Sequence, residues 1–297
     1  MDFGAIPDDG LDDSENIRKA CEYCRDNKST VLFFPPGLYN FRDSLALQIE
    51  REAISGVYGD NVQGRLFKPD APYVKALDLF GAENLVVEAE GAILLLEGWY
   101  EVVSIDKARE VTIKGLSIVY RRLPNTVGKI TKLNEGSFDM QIDPERYFYL
   151  DKDVTGRVHY VDAMRERLYT GGRVSGKELL SKDMIRIYTD FRPSTGDFCV
   201  LRHSGHYRPA IMIKESSDIY IEGVKIHSQP GMGVVGHLSE NITLENLQVI
   251  PEAGMIISTN TDATHFTSCK GEIVIENCKI GGQGDDCTNI HNYYYTI

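Results

Sequence analysis

The sequence predicts an all-β solenoid, a parallel β-helix in which each repeat forms one coil. Three observations carry that prediction. "DIYIEGVKI" (218–226), "NITLENLQVI" (241–250) and "EIVIENCKI" (272–280) share one shape: a polar residue, an alternating Ile/Val/Leu strand, an acidic-Gly/Asn corner and a second apolar strand. "NLVVEAEGAILL" (84–95) and "EVTIKGLSIVY" (110–120) repeat it upstream, and offsets such as the 23 residues from Ile219 to Ile242 match one coil. Finally, the alternation is two-residue and β-branched, which favours strands over helices. A leucine-rich repeat has a similar period, but its L-x-x-L-x-L frame is missing and each repeat here reads as two strands.

The N-terminus supplies a cap. "DDSENIRKACEYCRDN" offers Asp13 or Ser14 as N-cap and places Ile17, Ala20, Cys21 and Cys24 on one helical face. A short strand and a Pro-Pro-Gly turn follow in "TVLFFPPGLYNF". A solenoid end exposes an apolar coil and unpaired strand edges, so a capping helix is expected there. The acidic "DDGLDD" (8–13) reads as helix capping and solvated charge. Residues 1–120 are therefore expected to form the cap and first coils.

Between 121 and 207 the coil rhythm stops. "VGKITKLNEGSFDMQI" and "DMIRIYTDFRPSTGDFCVLRH" are longer alternating segments with turn signals, as in antiparallel strands. This predicts an inserted antiparallel β-barrel-like module, with re-entry to the coils near "RPAIMIKESS" and further coils over 208–297.

The 297 residues carry a net charge of -12, with 42% hydrophobic and 26% charged residues. That balance suits a globular chain and excludes nucleic acid or an anionic membrane surface as partners, which need a basic face. The longest apolar stretch, "AILLLEGWY", is broken by Glu97 and is too short to span a bilayer. The opening "MDFGAIPDDG" is not a signal peptide, so either the protein is intracellular or its natural beginning lies elsewhere. The "CEYC" of 21–24 lacks a redox context, and Cys269, Cys278 and Cys287, evenly spaced, read as small buried residues rather than zinc ligands.

The chemistry concentrates in "GGQGDDCTNIHN" (281–292) and "STNTDATHFTSC" (258–269). One coil before the pair Asp285–Asp286 stands Asp262, 24 residues ahead of Asp286. Taking Phe266 and Ile290 as equivalent inward positions stacks Asp262 on Asp286, about 4.8 Å apart, with Asp285 offset. Gly281, Gly282 and Gly284 allow the sharp bend that lets both acids face solvent. Three crowded carboxylates repel, which favours a proton on one of them. One protonated acid and one ionised carboxylate is the requirement of glycoside hydrolysis, and two acids sharing a water with a third donating favours inversion.

These motifs resemble known families. "DFGAIPDDGLDDSENIRKA" is similar to the N-terminal segment of pectin-lyase-like, right-handed β-helix proteins. The ordered string "TDATHF", C-x-G, "NC" and "GDD-x-TNIH" resembles glycoside hydrolase family 110, the exo-acting α-1,3-galactosidases. The resemblance implies removal of terminal α-1,3-linked galactose from blood-group-B-type or linear α-galactosyl glycans, with inversion and without metal or other cofactor. It implies Asp285 as general acid, Asp262 and Asp286 as holders of the water, and a periplasmic or secreted bacterial setting. It also implies further coils beyond the "NYYYTI" tail, so this chain is expected to be incomplete. A second resemblance is to polygalacturonases, which also pair an "NTD" with a "GDD" one coil later; a noncatalytic glycan-binding β-helix is the third class. His265, His291 and Asn289 flank the acids and are candidates for sugar contact or for structural hydrogen bonds. His237 is expected one coil before His265 on the same face, and Arg208 to reach a sugar hydroxyl or pair with surface acid. Trp99 is expected in the core.

Overall fold

The structure is a computed structural model that describes residues 2–59, 62–66, 68, 70–146, 158–164, 167–203 and 207–292. Residues 293–297 of the "NYYYTI" tail lie outside the described residues. The chain divides into two compact units, Met1–Ile49 with Pro72–Arg121 and Arg208–Ile297, and Glu50–Ala71 with Arg122–Tyr207.

The first unit is a right-handed parallel β-helix, the crossover sense that parallel strands take almost without exception. Three six-stranded parallel sheets run along it. The repeats found in the sequence are the strands of two of these. Glu83–Glu88, Arg109–Lys114, Ser217–Glu222, Glu240–Glu245 and Lys270–Glu276 stack in one sheet, after Val31–Phe33. Ala92–Leu96, Ser117–Tyr120, Lys225–Ile226, Gln248–Val249 and Lys279–Ile280 stack in the next, after Gly37–Phe41. A coil has three strands, however, and not the two that the repeat suggested. The front sheet, first in each coil and followed by the two above as second and third, holds Val74–Asp78, Tyr100–Asp106, Ile211–Lys214, Val234–His237, Thr264–Thr267 and Thr288–His291.

Left-handed backbone at the corners is what bends each coil. Between front and second sheets the column Asn84, Glu110, Asp218, Asn241 and Gly271 has φ of 49–67° together with its neighbour column of Gly81, Lys107, Glu215, Leu238 and Ser268. Between second and third sheets Gly91, Gly115, Gly223, Asn246 and Asn277 do the same. Gly and Asn tolerate this conformation best, which is why they mark the repeat in the sequence. Inside, like stacks on like: Val111, Ile219 and Ile242 are in register and sealed from solvent. Each such side chain contributes about 1.5–3 kcal/mol of burial.

Helix Ser14–Asp26 caps the unit with Ile17, Ala20, Cys21 and Cys24 buried. Asp13 takes the N-cap position without a side-chain cap bond. Its buried carboxylate instead accepts from the backbone N–H groups of Ile6 and Asn40. Asp8 likewise accepts from Leu38 N–H and Asp12 from Arg42 N–H, so "DDGLDD" ties the N-terminal segment to strand Gly37–Phe41, a role beyond capping and solvated charge. Trp99 is fully buried. Cys269 and Cys278 are only half-buried and Cys287 is exposed, because they lie on the last described coils, where fewer strands cover them.

The third corner, from third sheet back to front sheet, varies. Helices Ser44–Ile54 and Val62–Leu66 leave there, and so does the segment Arg122–Tyr207. Strand Ile211–Lys214 then pairs directly with Tyr100–Asp106, so the insertion does not interrupt the stack. Residues 50–71 group with the inserted segment, and not with the first coils as 1–120 had been divided, since both depart from this same corner.

The second unit contains a seven-stranded antiparallel sheet in the order Arg167–Thr170, Val158–Asp162, Phe198–Arg202, Asn125–Asn134, Ser137–Ile142, Met184–Thr189 and Val174–Ser181. Phe138, Met140, Tyr160 and Ile187 form its core. Arg186 makes a two-bonded ion pair to Asp139 across the sheet, at 2.7 and 3.1 Å, and holds that carboxyl below the usual carboxylate range. Among the described residues no helix is long and apolar enough to cross a membrane.

Candidate active site

All three acids sit at the variable corner, on the segments that lead into the front-sheet strands Thr264–Thr267 and Thr288–His291. Those strands pair in parallel with Thr264 opposite Thr288 and Phe266 opposite Ile290, the register that the sequence predicts. Carried back two residues, this register sets Asp262 beside Asp286. Phe266 is fully buried, whereas Ile290 is exposed on what is the edge strand among the described residues.

The approach to Asp262 is an all-polar run that reads as a solvated turn and is nothing of the kind. Ser258, Thr259, Asn260, Thr261 and Asp262 are at most 4% exposed. Several of their polar groups are tied down locally: Ser258 Oγ donates to Gly281 O at 2.9 Å, Ser258 N–H to Gly282 O at 2.8 Å, and Gly284 N–H to Thr259 O at 2.9 Å. The two corners are thereby stitched together. Thr264 Oγ1 donates to Thr288 Oγ1 at 2.9 Å and continues the seam into the strands.

Of the three glycines, Gly282 alone has a positive φ. It has φ of +73°, and a Cβ there would stand 2.8 Å from Ile256 O and 2.9 Å from Pro251 Cδ. One coil earlier Gly233 donates its N–H to Asp262 O at 3.0 Å, and a Cβ on it would meet Ala263 O at 2.3 Å. Close stacking beneath the acid depends on that missing side chain.

One carboxyl oxygen from each of Asp262, Asp285 and Asp286 lies within 4.8 Å of the others, Asp262 buried and the other two exposed. Their hydrogen bonding is graded. Asp262 receives two donors: His265 Nδ1 lies 2.6 Å from Oδ2, and Asp286 N–H reaches Oδ1 at 3.3 Å. Asp286 receives one, the Asn289 side-chain amide at 3.1 Å from Oδ2. Asp285 receives none among the described residues. His265 Nε2 is in turn 3.0 Å from His291 Nε2, with the rings edge to face at 5.0 Å. Three oxygens so placed could also share a hard cation, though nothing beyond the acidic cluster itself points to one.

His265, His291 and Asn289 are thus brought to the acids, where they engage the carboxylates or each other. Arg208 is not. Arg208 precedes the front-sheet strand two steps before that of Asp262, roughly 10 Å along the stack. Its guanidinium lies 3.9 Å over the Tyr73 ring and acts on Glu101, whose carboxyl burial pushes up while Ser104, Arg208 and Lys75 draw it down. His237 lies one coil before His265 and on the same face, as expected, two residues along from Val235, the strand partner of His265. The His265–His291 contact was not foreseen; the spacing T-H-F-T over T-N-I-H places the two rings diagonally, and only the strand register reveals it.

A family model described as glycosyl hydrolases family 28 matches residues 197–297, the part that bears all three acids. Over its full length the chain is 24% identical to alpha-1,3-galactosidase A of Shewanella woodyi. Over 98% of its length it is 26% identical to alpha-1,3-galactosidase B of Bacteroides thetaiotaomicron and 23% identical to alpha-1,3-galactosidase A of Bacteroides fragilis. The chain is similar to these galactosidases. It spans about half the length of the curated relatives it matches, 51%, 50% and 50% of the three named. Among solved structures, the family 28 exopolygalacturonase of Yersinia enterocolitica aligns with 97% of this chain and 44% of its own, at 12% identity and a TM-score of 0.41, a likeness too low to bear on function.

Proposed function

We propose that this chain carries the catalytic centre of an exo-acting, inverting α-1,3-galactosidase that removes terminal galactose from α-galactosyl glycans. The graded hydrogen bonding of the three clustered acids carries the reading. Two donors fix the orientation of the Asp262 carboxylate and one that of Asp286, so this pair is placed to hold a water. Asp285, with no donor among the described residues, is left to reach the glycosidic oxygen. Asp285 then protonates the glycosidic oxygen as the C1–O bond breaks. A water held by Asp262 and Asp286 forms the new C1–O bond and gives its proton to that pair.

The spacing needs comment. An inverting acid–base pair is usually about 6.5–9.5 Å apart and a retaining pair about 5–5.5 Å. Oxygens within 4.8 Å fall at the short end. A third carboxylate supports inversion all the same, because two neighbouring carboxylates can hold a water for attack on C1 from the side opposite the leaving oxygen. A polygalacturonase is the second reading, favoured by the family 28 match. Against it, relatives matching nearly the whole chain are named alpha-1,3-galactosidases, whereas the family 28 match covers residues 197–297. The galactosidase reading extends to a periplasmic or secreted setting, where glycans of this class are met; cell fractionation tests that.

The direct test is incubation of the full natural gene product with α-galactosyl-1,3-galactose and, separately, polygalacturonate, each with and without chelator. Galactose from the first alone, unaffected by chelator, is expected. Uronate reducing ends would favour the second reading, and binding without release would leave a glycan-binding β-helix.

A further inference from the structure

The hydrolytic scheme uses three acids and leaves a pair of histidines unexplained. We propose that His265 is a positioning residue that fixes the orientation of Asp262, with His291 bracing it from behind. The inference rests on the hydrolase reading above.

A carboxylate has no proton to give, so the 2.6 Å contact between His265 Nδ1 and Asp262 Oδ2 requires the proton on Nδ1. In the neutral ring Nε2 is then an acceptor, and the 3.0 Å contact with His291 Nε2 requires His291 to donate from that nitrogen. Each histidine is thereby assigned one tautomer. Both rings are set by paired strands, Thr264–Thr267 and Thr288–His291, and Thr267 Oγ1 lies 3.4 Å from the same His291 nitrogen. With Asp286 N–H on Oδ1, Asp262 is held at both oxygens from two directions. Its carboxyl plane cannot turn, and the lone pairs that remain are the ones available to a water.

The alternative for His265 is direct contact with the sugar. The two roles separate kinetically. Loss of a positioning group lets the carboxylate turn and displaces the water by about 1 Å, which costs on the order of 10²-fold in rate. Loss of a sugar contact made equally in ground and transition states raises KM instead.

The experiment uses the full natural gene product, with His265→Ala and His265→Asn; the Asn amide can present an N–H near the place of Nδ1. On α-galactosyl-1,3-galactose, His265→Ala is expected to lower kcat about 10²-fold with little change in KM and in thermal midpoint. His265→Asn is expected to recover much of that loss. An unchanged kcat, a loss expressed in KM, or no recovery by folded His265→Asn would overturn the proposal. Long-range proton–nitrogen NMR of the unmodified protein provides a readout apart from activity. A protonated Nδ1 on His265 is expected, and a bare Nδ1 overturns the assignment. If the unmodified protein releases no galactose, the hydrolase reading fails while the NMR still decides which way His265 faces.

Discussion

The adjacent glycines of "GGQGDD" are expected to respond very unequally to the same substitution. Gly282→Ala forces an L-residue into φ of +73°, which costs about 1–2 kcal/mol. Its Cβ also arrives 2.8 Å from Ile256 O and 2.9 Å from Pro251 Cδ, and relieving such overpacking adds about 1–3 kcal/mol. The expected destabilisation is therefore about 2–5 kcal/mol, large against a typical stability of about 5–15 kcal/mol but survivable. Because Gly282 O accepts from Ser258 N–H, any relief also shifts the Asp285–Asp286 corner against Asp262. Gly281→Ala is the internal control: its φ is not positive and a Cβ there would meet nothing within 4 Å. It is expected to stay within about 0.5 kcal/mol of the unmodified chain. Urea unfolding followed by circular dichroism measures both, and galactose release reports the displacement of the corner. Equal effects at the two positions, or a larger one at 281, would refute the geometry assigned to this corner.

Further expectations concern pH and stereochemistry. Arg186 holds Asp139 below its unfolded value of about 3.9, so the pair stabilises the second unit above that pH and the stability is lost as pH falls through the depressed value. Arg186→Met is expected to flatten the acid limb of a thermal-midpoint profile below about pH 4; an unchanged slope would count against the ion pair. Proton NMR of the first-formed galactose should show the β-anomer from an α-linked substrate, and initial α-galactose would mean retention, as the short carboxyl spacing alone would suggest.

Much of this fold is legible in the sequence because two corners of every coil are nearly constant. Gly223, Asn246 and Asn277 recur at the bend between second and third strands, and left-handed backbone restricts what can stand there. The front sheet escaped notice because the corner before it varies: residues 227–233, 250–263 and 281–287 separate equivalent strands, so no fixed offset exists. The same variability hid the departure of residues 50–71 with the inserted unit. The stacking of Asp262 on Asp286 survived, since Phe266 and Ile290 anchor the count within four residues of each acid. Burial of Ser258–Asp262 was not legible, because polar side chains satisfied by a neighbouring coil look in sequence like those satisfied by water. Nor could Arg208 be placed, as its partner Tyr73 lies far away in the chain.

The central claim is that Asp262, Asp285 and Asp286 form one hydrolytic centre with Asp285 as the proton donor. The most direct measurement is the initial rate of galactose release from α-galactosyl-1,3-galactose by the full natural gene product, unmodified and as Asp285→Asn. The account predicts release by the unmodified protein and a loss of about 10²–10⁴-fold in the variant, the usual worth of a general acid. Release that survives Asp285→Asn undiminished would contradict it.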